Sequence, residues 1–218
     1  MNPRLLQLAS PSLPVGAYSY SQGLESAVEA GLVGDAQSAG SWISNVLELS
    51  VASMEAPLLI RLIAAWERDD RKDAAEWNDE VMASRETAEL RAETVQMGYS
   101  LRKLLRDLDV RCDSLDSMSE IAYPTAFAFA VAAWNLPARD AVETYLFAWM
   151  ENQVLAAIKC VPLGQTDGQR LMLSLGERIA PLAARAFELD DGELTNFAPG
   201  LAILSSRHET QYSRLFRS

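Results

Sequence analysis

The nitrogen and sulfur side chains that could bind a transition metal, or act as a nucleophile with its base, are few and far apart in this sequence, and the carboxylates show no signature of a metal site. There is one histidine, His208, and there are two cysteines, Cys112 and Cys160. A transition-metal site needs several nitrogen or sulfur donors held together, and these three residues form no familiar spaced motif. A Ser–His or Cys–His pair would have to recruit His208 from near the end of the sequence. We therefore predict no catalytic residue and no metal site.

The glycine-containing stretches also lack the motifs of phosphate-binding loops and hydrolases. Gly164 and Gly168 are followed by Gln169 and Arg170, whereas a phosphate loop ends in Lys followed by Ser or Thr. The run that begins at Gly16, Gly-Ala-Tyr-Ser, has no second glycine to complete a nucleophile elbow. No motif therefore indicates nucleotide binding or serine hydrolysis.

Two basic features remain for a binding function. Lys159 ends a very apolar stretch, where the dipole of a helix favours a positive charge by roughly 0.3–1 kcal/mol. A desolvated catalytic lysine is the alternative interpretation. The segment 207–218 is basic and aromatic on a chain with a formal charge of −11. Either this tail packs back on its own domain, or it becomes ordered on a partner. His208, within the tail, is predicted to be a surface or interface residue.

The element that must position these features is a central helix over residues 137–160. Apolar side chains fall on almost every side of this stretch, which is typical of the buried rod of a helical bundle. Pro137 suits a first helical position, and Pro162 ends the helix. Residues 163–169 then form a polar turn with two glycines, and the next helix is predicted to start near Arg170. This turn is either a simple connector or a recognition loop.

The rest of the sequence predicts an all-α protein of about eight to ten helices in a single domain, residues 1–218. Cap residues and apolar periodicity predict further helices, and the charged stretch 67–93 reads as a solvated helix face. The first of these predicted helices ends at Gly31, and the second is capped by Asp35 or Ser38. A third starts at Ser53 with Pro57 in its first turns, and a long one runs through 84–108 with Met97, Leu101, Leu104 and Leu108 inward. Further helices are predicted over Pro124–Trp134, over Gln169–Leu189 with a kink at Pro181, and over Pro199–Ser206.

Composition narrows the class of protein. Of 218 residues 49% are hydrophobic, and the sequence pI is about 4.6. The acidity argues against nucleic acid or an anionic membrane as the main partner. Residues 121–138 carry no charge, but two prolines and many alanines favour a buried helix over a membrane span. With no secretory segment and no disulfide framework, we predict a cytoplasmic protein.

Three blocks of sequence resemble the urease accessory protein F (UreF) family. They are Leu5–Glu25 (LLQLASPSLPVGAYSYSQGLE), Lys159–Gln169 (KCVPLGQTDGQ) and His208–Phe216 (HETQYSRLF). Their order and spacing cover nearly the whole chain, although residues 67–120 contribute little.

The resemblance implies an all-helical, non-catalytic adaptor whose segments 1–22 and 207–218 serve interactions. Members of the family dimerise, bind the accessory protein UreD (also called UreH) and recruit the GTPase UreG to apo-urease, where nickel is inserted. The chain then needs no cofactor of its own, because nickel and GTP are handled by its partners.

The resemblance also implies the site. Tyr18 and Arg214 match residues implicated in recruiting the GTPase. An alternative function is regulation of GTP hydrolysis by UreG, with Arg214 as an arginine finger worth ~10³–10⁵ in rate. A third is an enzyme that uses Lys159 or His208. The candidate partner-binding residues are Tyr18, Lys159, Gln165, Asp167, Gly168, Gln169, His208, Tyr212 and Arg214.

Overall fold

The structure, a computed structural model, describes residues 2–218 and is all-α over that range, which confirms the predicted fold class. A π-helical segment, Leu47–Glu55, joins the helix Ala36–Val46 to the helix Ala56–Glu67, and short 3₁₀ turns lie at Ala17–Ser19 and Asp191–Glu193. With these joined helices counted once and the four-residue helix Asp113–Asp116 left out, residues 2–218 contain 10 helices, the upper end of the predicted range. The helices are α1 (Pro3–Ala9), α2 (Leu24–Glu29), α3 (Ala36–Val46), α4 (Ala56–Glu67), α5 (Arg71–Ala83), α6 (Ala88–Asp107), α7 (Asp113–Asp116), α8 (Tyr123–Ala133), α9 (Ala138–Cys160), α10 (Gln165–Gly176), α11 (Ile179–Ala186) and α12 (Pro199–His208).

Helix α9 is the centre of the bundle, as the sequence predicts. It packs against α1, α2, α3, α4, α10 and α11, and its buried side carries Leu146, Met150 and Val154. Pro137 is the residue just before the helix rather than its first member. Burial is less complete than predicted, since the Phe147 side chain is exposed. The neighbouring helices therefore cover only part of the circumference of α9.

The helix predicted to start at Ser53 does not start there. Residues 36–67 form one continuous rod, α3 through the π-helical segment to α4. Pro57 has no N–H, so the carbonyl of Ser53 loses its helical partner. That carbonyl instead accepts the N–H of Thr195 at 3.1 Å, and the Leu49 carbonyl accepts that of Phe197, also at 3.1 Å. The connector before α12 therefore stabilises the rod at the point where the sequence predicts a break.

The polar turn predicted at 163–169 is also wrong in part. Helix α10 begins at Gln165, so the residues predicted as a loop form its first turns. Gly164 and Gly168 both have ordinary backbone geometry rather than a positive φ. Gly168 serves close packing instead, because a Cβ there would lie 2.4 Å from Cδ1 of Ile158 on α9. Pro181 lies in the first turn of a separate helix, α11, so the predicted kink is a break.

The remaining helices follow the sequence more closely. Asp35 caps α3 in a capping box with Ser38, and α2 ends before Gly31, whose φ is +72°. On α6 the predicted stripe holds at Met97 and Leu101, while its last member, Leu108, lies outside the helix and is exposed. In the part of the chain that the structure describes, no helix is long and apolar enough to cross a bilayer.

Candidate partner-binding surface

Residues 207 and 208 of the predicted tail belong to α12, and the name tail is used from here on for residues 209–218. This tail packs back on its own domain, which is the first of the two alternatives. The carboxylate of Glu25 on α2 accepts the N–H of Leu215 at 2.7 Å and that of Phe216 at 2.9 Å. The N–H of Arg217 donates to the carbonyl of Ser19 at 2.8 Å. The Phe216 side chain is buried. These bonds fix the backbone of the tail against the first 30 residues of the chain.

The three sequence blocks that carry the resemblance meet in this region. The carbonyl of Ser218 accepts both the backbone N–H and the hydroxyl of Ser21, each at 2.7 Å. The Nζ of Lys159, at the end of α9, lies 5.4 Å from the centre of the Phe216 ring, a cation–π distance. Lys159 therefore has a structural contact with the tail. The N-terminal block, the end of α9 and the tail form one continuous part of the molecule.

His208 does not lie at the surface, so that prediction is wrong. Its side chain is completely buried at the end of α12. Nδ1 lies 2.7 Å from Oε2 of Glu89 on α6, and Nε2 lies 3.3 Å from Oε2 of Glu25. Packing of α12 against α2 and α6 encloses the ring between the two carboxylates. A partner therefore cannot contact His208 directly in this conformation.

The same cluster reaches the surface through Arg214. Nη1 of Arg214 donates to Oε1 of Glu89 at 2.7 Å, and the Arg214 side chain is 40% exposed. In the same tail, Leu215 is 63% exposed and Tyr212 is fully exposed, and Tyr18, next to Ser19, is 62% exposed. The remaining guanidinium donors and these apolar side chains are thus accessible to another protein.

The residues predicted on the third block have mixed positions. Gln165 and Gln169 are exposed on the first turns of α10, and Asp167 pairs with Arg170 at 3.0 Å. Gly168 is buried against α9 and can serve only packing. Of the predicted residues, Tyr212 and Arg214 lie in the tail, Lys159 contacts it, and Tyr18 is next to Ser19, which binds it. Gly168 lies in the core.

A second polar cluster, which no sequence pattern indicated, lies inside the bundle. Oε1 of Glu55 accepts Nη1 of Arg85 at 2.7 Å, and Oε2 of Glu55 accepts the hydroxyl of Tyr145 at 2.5 Å. Glu93 on α6 accepts Nε2 of Gln22 at 2.6 Å. Together these side chains line a cavity of about 70 Å³, which is large enough for ordered water. Three of its members, Gln22, Glu55 and Tyr145, lie in mostly uncharged stretches, so no local pattern could have signalled the cluster.

The pKa values of two buried carboxyls in this cluster shift in opposite directions. Burial raises the pKa of Glu93 to about 7, since the hydrogen bonds from Gln22 and Ser218 offset it only in part. Burial also acts on Glu55, but the charge of Arg85 and the bonds from Arg85 and Tyr145 outweigh it and lower the pKa of Glu55.

Neither cluster has the geometry of a metal centre, and the nearby Cys160 is not a reactive thiol. Across residues 2–218, no three His, Cys, Asp or Glu side chains are grouped so that they could hold a metal ion. Glu25 and Glu89 contact opposite nitrogens of His208, so these three side chains do not converge on one point. Burial raises the pKa of Cys160 to about 11, which keeps its thiol protonated and unreactive.

Comparison with known proteins agrees with the sequence blocks. The UreF family model matches residues 33–176. A protein named urease accessory protein UreF from Azoarcus sp. (strain BH72) is 57% identical over 99% of this chain and 94% of its own length. Proteins of the same name from Dechloromonas aromatica (strain RCB) and Methylobacillus flagellatus are 53% and 46% identical, each over 99% of this chain and 96% of their own length. The family match and these near full-length relatives show that the chain belongs to the UreF family of urease accessory proteins.

Proposed function

We propose that this protein is a non-catalytic adaptor in urease maturation. In this proposal it binds UreD (UreH), assembles as a homodimer within that complex, and recruits the GTPase UreG to apo-urease for nickel insertion. Nickel and GTP are then handled by the partners rather than by residues of this chain. Membership of the UreF family supports the general role.

The observation that carries the proposal is the region where the tail meets the N-terminal segment. Tyr18 precedes Ser19, whose carbonyl binds the N–H of Arg217, and Arg214 lies three residues earlier, at most ~11 Å along the chain. An exposed arginine two residues from an exposed tyrosine, Tyr212, combines two of the residue types that are enriched in interface hot spots. Because backbone bonds already order the tail, a partner that docks there does not bear the full entropic cost of ordering it.

The alternative function, control of GTP hydrolysis, requires Arg214 to reach the transferred phosphate as an arginine finger. Arg214 is instead bound to Glu89 of its own chain. A finger would have to reach the nucleotide with its remaining donors, while the Glu89 carboxylate partly neutralises the charge that it brings to the phosphate. The arrangement therefore favours Arg214 as an interface anchor.

The test is capture of the GTPase by the full chain in complex with UreD. Arg214→Ala should weaken capture roughly 30-fold or more, the effect of losing a hot spot worth about 2 kcal/mol. Arg139→Ala, at an exposed arginine in the first turn of α9, is the matched control and should leave capture unchanged. Retained capture by Arg214→Ala, with the helical circular-dichroism signal intact, would contradict the proposal.

The same complexes separate the two functions. GTP hydrolysis by UreG is measured with and without this chain at saturating concentrations. For an adaptor we expect the same rate in both cases. A rate change of about 10-fold or more that Arg214→Ala abolishes would establish the regulator instead.

A further inference from the structure

We propose that Glu25 and Glu89, which meet the two sides of His208, are positioning residues that hold the tail in the shape that presents Arg214. This inference rests on the proposed function, in which Arg214 anchors the GTPase. None of the three side chains needs to contact the partner. Their role is to fix the backbone and the guanidinium that do.

Glu25 acts on the backbone of the tail. Both of its oxygens are used, Oε1 by the N–H of Leu215 and Oε2 by the N–H of Phe216, at 2.7 and 2.9 Å. Two successive amides directed at one carboxylate form charge-assisted bonds, which are stronger than neutral ones. The Glu25 side chain is only 12% exposed, so water competes poorly for these bonds. They set the path of the chain directly after Arg214.

Glu89 acts on the guanidinium itself. Its Oε1 accepts Nη1 of Arg214 and its Oε2 faces Nδ1 of His208, both at 2.7 Å. One carboxylate therefore links the presented arginine to a ring that cannot move. An arginine has five N–H donors, and this bond uses one of them. The others remain for a carboxylate or a backbone carbonyl of the partner.

His208 connects the two carboxylates. Its ring is fully buried, and each nitrogen faces one glutamate, Glu25 from α2 and Glu89 from α6. The charged and titratable groups around it are thus these two carboxylates, with Arg214 beyond Glu89. Because α2, α6 and α12 all pack around this ring, the positions of Glu25 and Glu89 are coupled to each other.

The contacts divide the tail into two parts. Residues 217 and 218 are held by Ser19, Ser21 and Glu93, which do not involve this cluster. Residues 214–216 depend on Glu25 and Glu89. Loss of either glutamate should therefore free the segment around Arg214 while the rest of the tail stays docked.

The experiment uses the full chain in complex with its accessory partner and compares Glu25→Gln, Glu89→Gln and Glu29→Gln. Glu29 is an exposed residue of α2 and is the matched control. The first two variants should raise amide hydrogen exchange at residues 214–216 roughly 10- to 100-fold, the effect of losing a charge-assisted bond. They should also weaken capture of the GTPase by about 5- to 30-fold. Glu29→Gln should change neither quantity.

A double-mutant cycle distinguishes positioning from general stabilisation. If Glu89 acts through Arg214, then Glu89→Gln should weaken capture less than about 2-fold in an Arg214→Ala background. A full additional loss in that background would overturn the positioning role. Unchanged exchange at residues 214–216 in both glutamine variants would overturn it as well.

The two proposals fail in different ways. If Arg214→Ala leaves capture intact, the proposed function fails, while the exchange data still decide whether the glutamates hold the tail. If a glutamine variant does not fold, Glu25→Asp and Glu89→Asp replace it. These keep the charge but withdraw the carboxylate by one methylene, and the same rise in exchange is expected.

Discussion

Glu89 and Glu93 lie one turn apart on α6, yet the protein uses these two carboxylates in different ways. Glu89 is near the surface and pairs with the guanidinium of Arg214. Glu93 is buried and accepts hydrogen bonds from uncharged groups, Nε2 of Gln22 and the hydroxyl of Ser218, at 2.6 and 2.8 Å. The same helix thus supplies Glu89 to the surface cluster, which is Glu25, Glu89, His208 and Arg214, and Glu93 to the buried cluster around Glu55 and Arg85.

Within the buried cluster, a comparison of Glu93 with Glu55 shows that a cation in contact, more than the degree of burial, sets the charge of a carboxyl. Burial raises the pKa of Glu93 to about 7, because no cation is in direct contact with it. Glu55 is equally buried, but its ion pair with Arg85 and the hydroxyl of Tyr145 outweigh burial and lower its pKa. The buried cluster therefore holds one carboxylate that is reliably charged and one that titrates near neutral pH.

The largest effect is expected from breaking the buried pair. Arg85→Met should reduce the free energy of unfolding by about 3–5 kcal/mol, since it leaves the Glu55 carboxylate buried without its cation. For a chain of this size the melting temperature should fall by roughly 6–20 °C. Thermal and urea unfolding measure both quantities.

Two variants control that prediction. Glu55→Gln combined with Arg85→Met should recover more than half of the loss, because neither charge of the pair then remains. Arg68→Met breaks an exposed pair with Asp73, 2.7 Å in length, and should cost less than about 1 kcal/mol. Equal losses at Arg85 and Arg68 would show that water screens the Glu55–Arg85 pair as fully as it screens the exposed one.

A smaller effect concerns the titration of Glu93. Its pKa is raised from 4.5 to about 7 on folding, so the folded state holds a proton that the unfolded state has released. The stabilisation is present below pH 4.5 and is lost as the pH rises through 7, at about 1.4 kcal/mol per pH unit. Between pH 5.5 and 7.5 this one group should lower the free energy of unfolding by about 2 kcal/mol.

Glu93→Gln should remove most of that pH dependence. Glu89→Gln, one turn away on the same helix, is the matched variant and should retain it. Urea unfolding at the two pH values gives the difference for each protein. The interpretation of Glu93 fails if wild type and Glu93→Gln lose the same stability over this range.

The smallest effect expected is the weakening by salt of the ion pair between Arg214 and Glu89. Raising the ionic strength from 0.1 M to 1 M shortens the Debye length from about 10 Å to about 3 Å. The 40% exposed Arg214 pair should then weaken by a few tenths of a kcal/mol, and amide exchange at residues 214–216 should rise about 2-fold. The titration of Glu93 should shift much less, and equal salt sensitivity at both sites would remove the distinction between them.

Local bonds account for what could be predicted. Asp35 and Ser38 form a capping box over three residues, and Pro124 lies in the first turn of α8, so both helix starts were visible in the sequence. The central position of α9 followed from its apolar residues. The family was visible in the three blocks, because their residue types and order are specific.

Contacts between distant residues account for what could not be predicted. Nothing near Ser53 shows that Thr195 will bind its carbonyl and continue the rod. Likewise, Gly168 looks like a turn residue until α10 is packed on Ile158.

The candidate site divides in the same way. The sequence by itself determined that the chain is a bundle of helices, and it predicted Tyr18 and Arg214 as partner-binding residues. Only the tertiary structure decided that the tail docks on its own domain, that His208 is buried and that Glu25 and Glu89 contact the tail. The physical reason is separation along the chain: Glu25 and Phe216 lie 191 residues apart, and a hydrogen bond at that separation exists only after the helices between them have packed.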